Sequence, residues 1–249
     1  MDRAYDVGVQ SVVFQDHRLV DLLSELDGTP VDHVEVWCHH LSPSTGEPAR
    51  RGAFEALSTT DVGVCGYGVV DIDAAGGVRA HVDFADRLGA DYVTVNYPPD
   101  ADAITEELVV LAEEYAVDVG IHNYSSVHHD DLSTVFSTMA DVRGVLNRYD
   151  HDRLGLCVDT GHFLVEDVAP AAVVREFGDQ INSVHLKDTS GAAVEDVPGA
   201  GRLDIDRVVA LLDAHADLAA PLVVEYELPQ DRAREALREA TGRVRAALE

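Results

Sequence analysis

The sequence predicts a single (β/α)8 barrel, a TIM barrel, with residues 1–249 forming one domain. Three observations carry that expectation. Short β-branched runs alternate eight times with longer segments whose apolar residues recur at helical spacing. Eight such units in 249 residues match the size of the fold. The short runs are apolar nearly throughout, as parallel strands covered on both faces require. A doubly wound open sheet, the competing arrangement, would normally carry a GxGxxG turn after its first strand, and here that turn reads SVVFQDH.

Taken in order, the first unit joins a strand at 5–10 (YDVGVQ) to a helix near 17–27. The second joins 33–37 (HVEVW) to 47–57, and the third 62–67 (VGVCGY) to 78–89, with Gly89 placed to close that helix. The fourth strand, 92–96 (YVTVN), leads through a Pro-Pro turn to a helix at 101–116. The fifth, 117–123 (VDVGIHN), leads to a helix at 131–149, and the sixth, 154–158 (LGLCV), to one at 168–178. The seventh strand, 182–186 (NSVHL), precedes a glycine-bearing loop and a helix at 205–216 that Asp204 is placed to cap. Pro221 stands at the entry to the eighth strand, 222–226 (LVVEY), and a helix at 231–247 completes the set. No linker or composition break divides the chain.

An apolar content of 46% suffices for a sizeable core and excludes overall disorder. Against 46 Asp plus Glu stand only 18 Lys plus Arg, a formal net charge of -28. Such a field repels phosphate backbones and anionic lipid, which argues against nucleic acid and membrane as partners. Asp outnumbers Glu 30 to 16, and Lys187 is the one lysine beside 17 arginines. This composition reads as adaptation to high salt, with short hydrated acids and few flexible apolar stems. The three cysteines, Cys38, Cys65 and Cys157, form no CxxC pair and read as core residues in a reducing compartment. No leader-like segment opens the sequence MDRAYDVGVQ and no apolar run reaches the ~18 residues of a membrane span, so a soluble cytoplasmic protein is expected. A homo-oligomer is left open.

Active sites of TIM barrels lie at the C-terminal ends of the strands. Those ends carry Asn96, His122, Asp159, His185 and Glu225, polar side chains where packing alone would favour Val or Leu. The two imidazoles and two carboxylates among them fall on the fifth to eighth strands. Taken singly, each has an ordinary structural explanation. Together they form a ligand set suited to one divalent ion, whether manganese, cobalt, iron, zinc or magnesium. A cation would also offset the crowding of Asp159 with Glu225.

His162, three residues beyond Asp159 and expected in a loop, either aims at a substrate hydroxyl, steadies a ligand carboxylate or is a surface histidine. Lys187, two residues after His185, projects to the same side of the strand. It either steadies a substrate oxyanion or pairs with an acid such as Asp188. Glu35 and Trp37 end the second strand, where each either lines the mouth or belongs to the core. The adjacent pairs His39, His40 and His128, His129 read as solvated loop residues, with a lid as the alternative. VPGAGRLDIDRV places glycines and Arg202 before a helix N-terminus, which suits either a phosphate or a turn that needs positive φ.

The segments VGIHNY, LGLCVDTGHF, INSVHLKD, VPGAGRLDIDRV and VVEYE, in this order, resemble the sugar phosphate isomerase/epimerase superfamily of xylose isomerase-like TIM barrels. The resemblance covers essentially the whole chain. It implies one divalent metal, commonly manganese or magnesium, held by His122, Asp159, His185 and Glu225. It implies a small ketose or keto-sugar substrate, isomerised or epimerised by proton transfer next to the carbonyl through an enediolate. Glu225, His162 and Lys187 are then the catalytic candidates, and Glu35, Trp37, Asn96 and Arg202 the substrate-binding ones. Many members carry a glutamate where His122 stands. The alternative on the same site is an inosose dehydratase-like or keto-glycoside lyase; a catalytically silent sugar-binding barrel is a third reading. Endonuclease IV-type nucleases share the barrel and a DT-x-H pattern, but the DRH-like stretch of their further ligands is missing here.

Overall fold

A computed structural model describes residues 5–191 and 195–249. Eight parallel strands close into a barrel: β1 (Val7–Gln10), β2 (His33–Val36), β3 (Gly63–Asp71), β4 (Tyr92–Asn96), β5 (Asp118–His122), β6 (Leu154–Asp159), β7 (Ile181–Leu186) and, after two short strands, β10 (Leu222–Val224). β1 pairs with both β2 and β10, which closes the ring. Around it run α1 (Leu19–Leu26), α2 (Glu47–Thr59), α3 (Ala75–Leu88), α4 (Asp102–Tyr115), α5 (Met139–Tyr149), α6 (Thr160–Val165), α7 (Pro170–Phe177), α8 (Ile205–His215) and α9 (Ala233–Ala247). The expected units are thus present, with boundaries shifted by a few residues.

Local chemistry explains the boundaries. Gly89 ends α3 with a φ of 71°, and the Asp204 side chain accepts from the Arg207 backbone N–H to cap α8. The helix expected from 131 instead starts at Met139. Thr138 and Asp141 form a reciprocal cap there, and upstream Phe136 bridges to Asn123 beside the barrel. Two elements were not expected: α6, which takes His162 out of the loop, and the antiparallel pair β8 (Asp188–Thr189) with β9 (Glu195–Asp196).

Strand alternation divides the interior into two unlike regions. Val34, Val36, Val93, Val95, Val119 and Ile121, all fully buried, face the helices and join the large apolar core. At about 1.5–3 kcal/mol per buried side chain, that layer supplies the main driving force for the fold. The residues between them face the lumen. There a small apolar cluster of Cys65, Tyr92 and Val223 lies among Glu35, Thr94, Ser183 and His185, all buried. A lumen this polar is costly to build, and its groups converge toward the C-terminal mouth.

Candidate metal centre

His122 ends β5, Asp159 ends β6, His185 lies near the end of β7, and Glu225 directly follows β10. One ligand atom from each lies within 4.8 Å of the others. All four residues are buried, Glu225 the most exposed at 6%. His122 Nε2 is 3.6 Å from Asp159 Oδ2. His185 Nδ1 stands 2.7 Å from Glu225 Oε2, yet out of hydrogen-bond alignment. Both nitrogens of His122, Nδ1 of His185, Asp159 Oδ2 and Glu225 Oε2 have no hydrogen-bond partner among the described residues. Buried polar atoms left unpaired cost about 1–3 kcal/mol each, so a cluster of them is an unfinished site. Two imidazole nitrogens and two carboxylate oxygens converging this closely fit a divalent ion.

The surrounding contacts hold each donor in place. Asn123 receives the Asp159 backbone N–H on Oδ1 at 2.8 Å and donates to its carbonyl at 3.0 Å. Asp159 Oδ1 accepts the backbone N–H of His162 at 2.8 Å, so the same carboxylate caps α6 and leaves Oδ2 for the cluster. Burial raises the Asp159 pKa, but His162 and His122 more than offset it and bring it to about 2. His162 packs within a 5.8 Å centroid distance of His122, and its Nδ1 shares a hydrogen bond with Ser125 Oγ at 2.8 Å. Burial holds its pKa well below the ordinary value, which keeps the ring neutral.

Lys187 is 3% exposed, and its ammonium contacts Glu195 at 2.9 Å, Glu227 at 3.0 Å and Glu225 at 3.1 Å. Asp188 is not its partner. Burial opposes the charge on Lys187, but Glu225 and Glu195 outweigh burial and hold its pKa well above the ordinary value. Glu225 mirrors this: burial raises its pKa, and Lys187 with His185 brings it well below the carboxylate range. Two of its N–H groups are hydrogen-bonded to Glu225 and Glu227, with Glu195 as a third carboxylate in ion-pair contact, so the ammonium holds Glu225 in place.

The residues expected to bind substrate separate. Glu35 does not line the mouth. Its side chain is fully buried beneath His185, because the alternation of HVEV turns Val34 and Val36 outward and Glu35 into the lumen. Asn96 reaches the C-terminal face and donates to Asp71 at 2.8 Å, leaving its Oδ1 without a partner. Trp37 is half-buried, its ring 4.6 Å from that of His39. Arg202 turns away from the cluster and pairs with Asp167 at 3.0 Å. Among the histidine pairs expected to be solvated, His39 and His128 are exposed, His128 with its ring edge against His162, whereas His40 is half-buried with Nδ1 2.9 Å from Ser11 Oγ and His129 is half-buried against Tyr124.

The glycine loop holds no open anion pocket, because Asp188 fills it. Asp188 Oδ1 accepts the N–H groups of Thr189, Arg202 and Leu203, and Oδ2 those of Gly199 and Gly201, at 2.7–3.0 Å. Gly199 needs its φ of 82°, and a Cβ at Gly201 would lie 2.8 Å from the carboxylate. The alternative of a structural turn is therefore the one the fold adopts.

Several contributors escaped sequence reasoning: Asn123, Ser125, Glu195 and Glu227. Glu227 did leave a signal, standing two residues after Glu225 as Lys187 stands two after His185.

A family model of the xylose isomerase-like TIM barrel matches residues 72–245. The chain belongs to this family. Inosose dehydratase of Bacillus cereus (strain AH820) is 27% identical over an aligned span of 182 positions that covers 59% of this chain and 61% of that protein. Among solved structures, apo 3-keto-D-glucoside 4-epimerase from E. coli superposes with a TM-score of 0.73 at 14% identity, over 97% of this chain and 99% of the other. An IOLI protein with a bound zinc atom also superposes at 0.73, with 17% identity and 98% of each chain covered. At these identities the two structures show the shared barrel.

Proposed function

We propose that this chain is a divalent-metal-dependent isomerase or epimerase acting on an uncharged keto-sugar or related polyhydroxylated ketone. The observation that carries this reading is the convergence of four buried donors, unpaired at the atoms that face one another, on consecutive strand ends. The enzymes named among its relatives, a dehydratase and an epimerase of keto compounds, support it, as does the zinc-bound barrel. His122, Asp159, His185 and Glu225 would hold the ion. A bound divalent cation supplies the Lewis acidity that polarises a carbonyl and acidifies the neighbouring C–H.

The protein's own groups do the rest. Glu225, kept ionised by Lys187, takes the proton from the carbon next to the carbonyl, and the C–H electron pair moves into an enediolate. Return of the proton to the adjacent carbon gives the isomer. Neutral His162, its Nδ1 engaged by Ser125, orients a substrate hydroxyl and exchanges a proton with it through Nε2. Substrate charge follows from the surrounding cations: Lys187 is neutralised by three neighbouring carboxylates, Arg202 faces Asp167, and Asp188 occupies the loop that would bind phosphate. With the ion in place the buried charges are balanced, so a phosphate on the substrate would find no further cation of its own in the site.

A second reading is favoured by His122 itself. With one glutamate in the ligand set, proton return from the opposite face lacks a second base, whereas loss of a β-hydroxyl as water can use Glu225 twice: it takes the C–H proton and returns it to the departing hydroxyl, with neutral His162 hydrogen-bonded to that oxygen. That is the chemistry of a dehydratase, in line with the Bacillus cereus relative. Incubation in D2O with Mn2+ and a panel of unphosphorylated ketoses and inososes, followed by NMR, separates the two. Deuterium next to the carbonyl with isomer formation supports the first, and loss of water the second. Exchange with phosphorylated sugars alone, or with none of the panel, overturns the proposal.

A further inference from the structure

Glu35 sits one layer below the four donors and touches only the barrel interior. Its Oε2 accepts from His185 Nε2 and from the Tyr92 hydroxyl, both at 2.8 Å, and its Oε1 accepts from Thr94 Oγ1 at 2.8 Å. Three donors from β4 and β7 thus converge on one fully buried carboxylate of β2. Neither the isomerase nor the dehydratase reading gives this residue a part.

We propose that Glu35 is a positioning residue for the metal centre: it fixes the His185 ring with Nδ1 toward the ion and supplies buried negative charge that the ion balances. The inference rests on the metal reading above. A neutral imidazole has one N–H. With Nε2–H committed to Glu35, the lone pair falls on Nδ1, the atom that faces Glu225 Oε2 at 2.7 Å. A ligating histidine that gives its second nitrogen to a carboxylate is both oriented and made more basic, and Tyr92 with Thr94 stops that carboxylate from rotating away. Charge points the same way. At the cluster Glu35 adds a third buried carboxylate to Asp159 and Glu225 against one buried ammonium, Lys187, while the fourth buried carboxylate, Asp188, is satisfied by five backbone N–H groups; the excess at the cluster equals the charge of one divalent cation. Glu195 and Glu227, the other partners of Lys187, stand at the rim with 17% and 30% side-chain exposure, where solvent screens them.

The test is the affinity for Mn2+, measured by EPR of the free ion on full-length protein well below its melting temperature. Glu35→Gln keeps the volume and an acceptor oxygen but removes the charge, and should weaken Mn2+ binding about 10–100-fold. Tyr92→Phe leaves the contact to His185 in place and should weaken it less. A residue that served packing alone would lower the melting temperature and leave the Mn2+ affinity of the folded protein unchanged. A folded Glu35→Gln protein that binds Mn2+ within twofold of the wild type overturns the proposal while the metal reading stands. A wild type that binds no Mn2+ overturns both. Independently of any variant, 15N-histidine spectra of the Zn2+-loaded wild type should show His185 protonated at Nε2 and ligating through Nδ1, and the reverse pattern overturns the proposal.

Discussion

Replacing Asp188 with alanine removes the acceptor of five backbone N–H groups at once. The N–H groups of Thr189 and Leu203 lie in buried surroundings, whereas those of Gly199, Gly201 and Arg202 are partly open to water. Hydrogen bonds to a charged acceptor contribute about 1.5–3 kcal/mol each, and water can replace the acceptor for the open donors. Counting mainly the two buried ones gives a loss of about 3 kcal/mol. For a chain of this length, that lowers the melting temperature by about 6–12 °C. Circular dichroism melts of wild type and Asp188→Ala, in the same buffer and salt, measure it directly. The emptied loop also becomes an anion site, so millimolar phosphate or sulfate should raise the melting temperature of the variant more than that of the wild type. A variant that melts within 2 °C of the wild type and ignores phosphate would refute the view that Asp188 fills a phosphate-type pocket.

Lys187→Met leaves Glu225, Glu195 and Glu227 side by side without their ammonium, which should cost about 3 kcal/mol and be read as a lower urea midpoint at pH 7. His40 is held by burial down to about 4, against an ordinary value of 6.5. The folded state resists a proton that the unfolded chain accepts. Its contribution is therefore whole above pH 6.5, falls as the pH drops toward 4, and is lost below, to a total of about 3 kcal/mol. Urea titrations at pH 7 and pH 4.5 should show a smaller acid loss for His40→Gln than for wild type. With a net charge of -28, the folded state should gain stability as KCl rises from 0.1 to 2 M, because the screening length shrinks to about 3 Å at molar salt. A melting temperature flat in KCl would sink the reading of high-salt adaptation.

The barrel was legible because two periodicities, one for strands and one for helices, alternate along the whole chain. The donors were legible because polar residues at strand ends conflict with packing. Glu35 stays open between mouth and core in the sequence although HVEV carries its position: with Val34 and Val36 outward, the residue between them faces the lumen. The glycine loop was ambiguous for a physical reason. Backbone N–H groups that cradle a phosphate cradle a carboxylate equally well, and only the fold shows that Asp188 is close enough to occupy them. Six residues of α6 are too few to display a helical period, and Glu195, on a two-residue strand, leaves no periodic trace at all.

The central claim is that His122, Asp159, His185 and Glu225 bind one divalent ion. Anomalous scattering from crystals grown with Mn2+ tests it most directly. The expected result is one peak per chain within about 2.0–2.6 Å of a nitrogen of His122, His185 Nδ1, Asp159 Oδ2 and Glu225 Oε2, lost in Asp159→Asn crystals. Absence of a peak among these atoms at saturating Mn2+, or a peak elsewhere with the four side chains unligated, would contradict it.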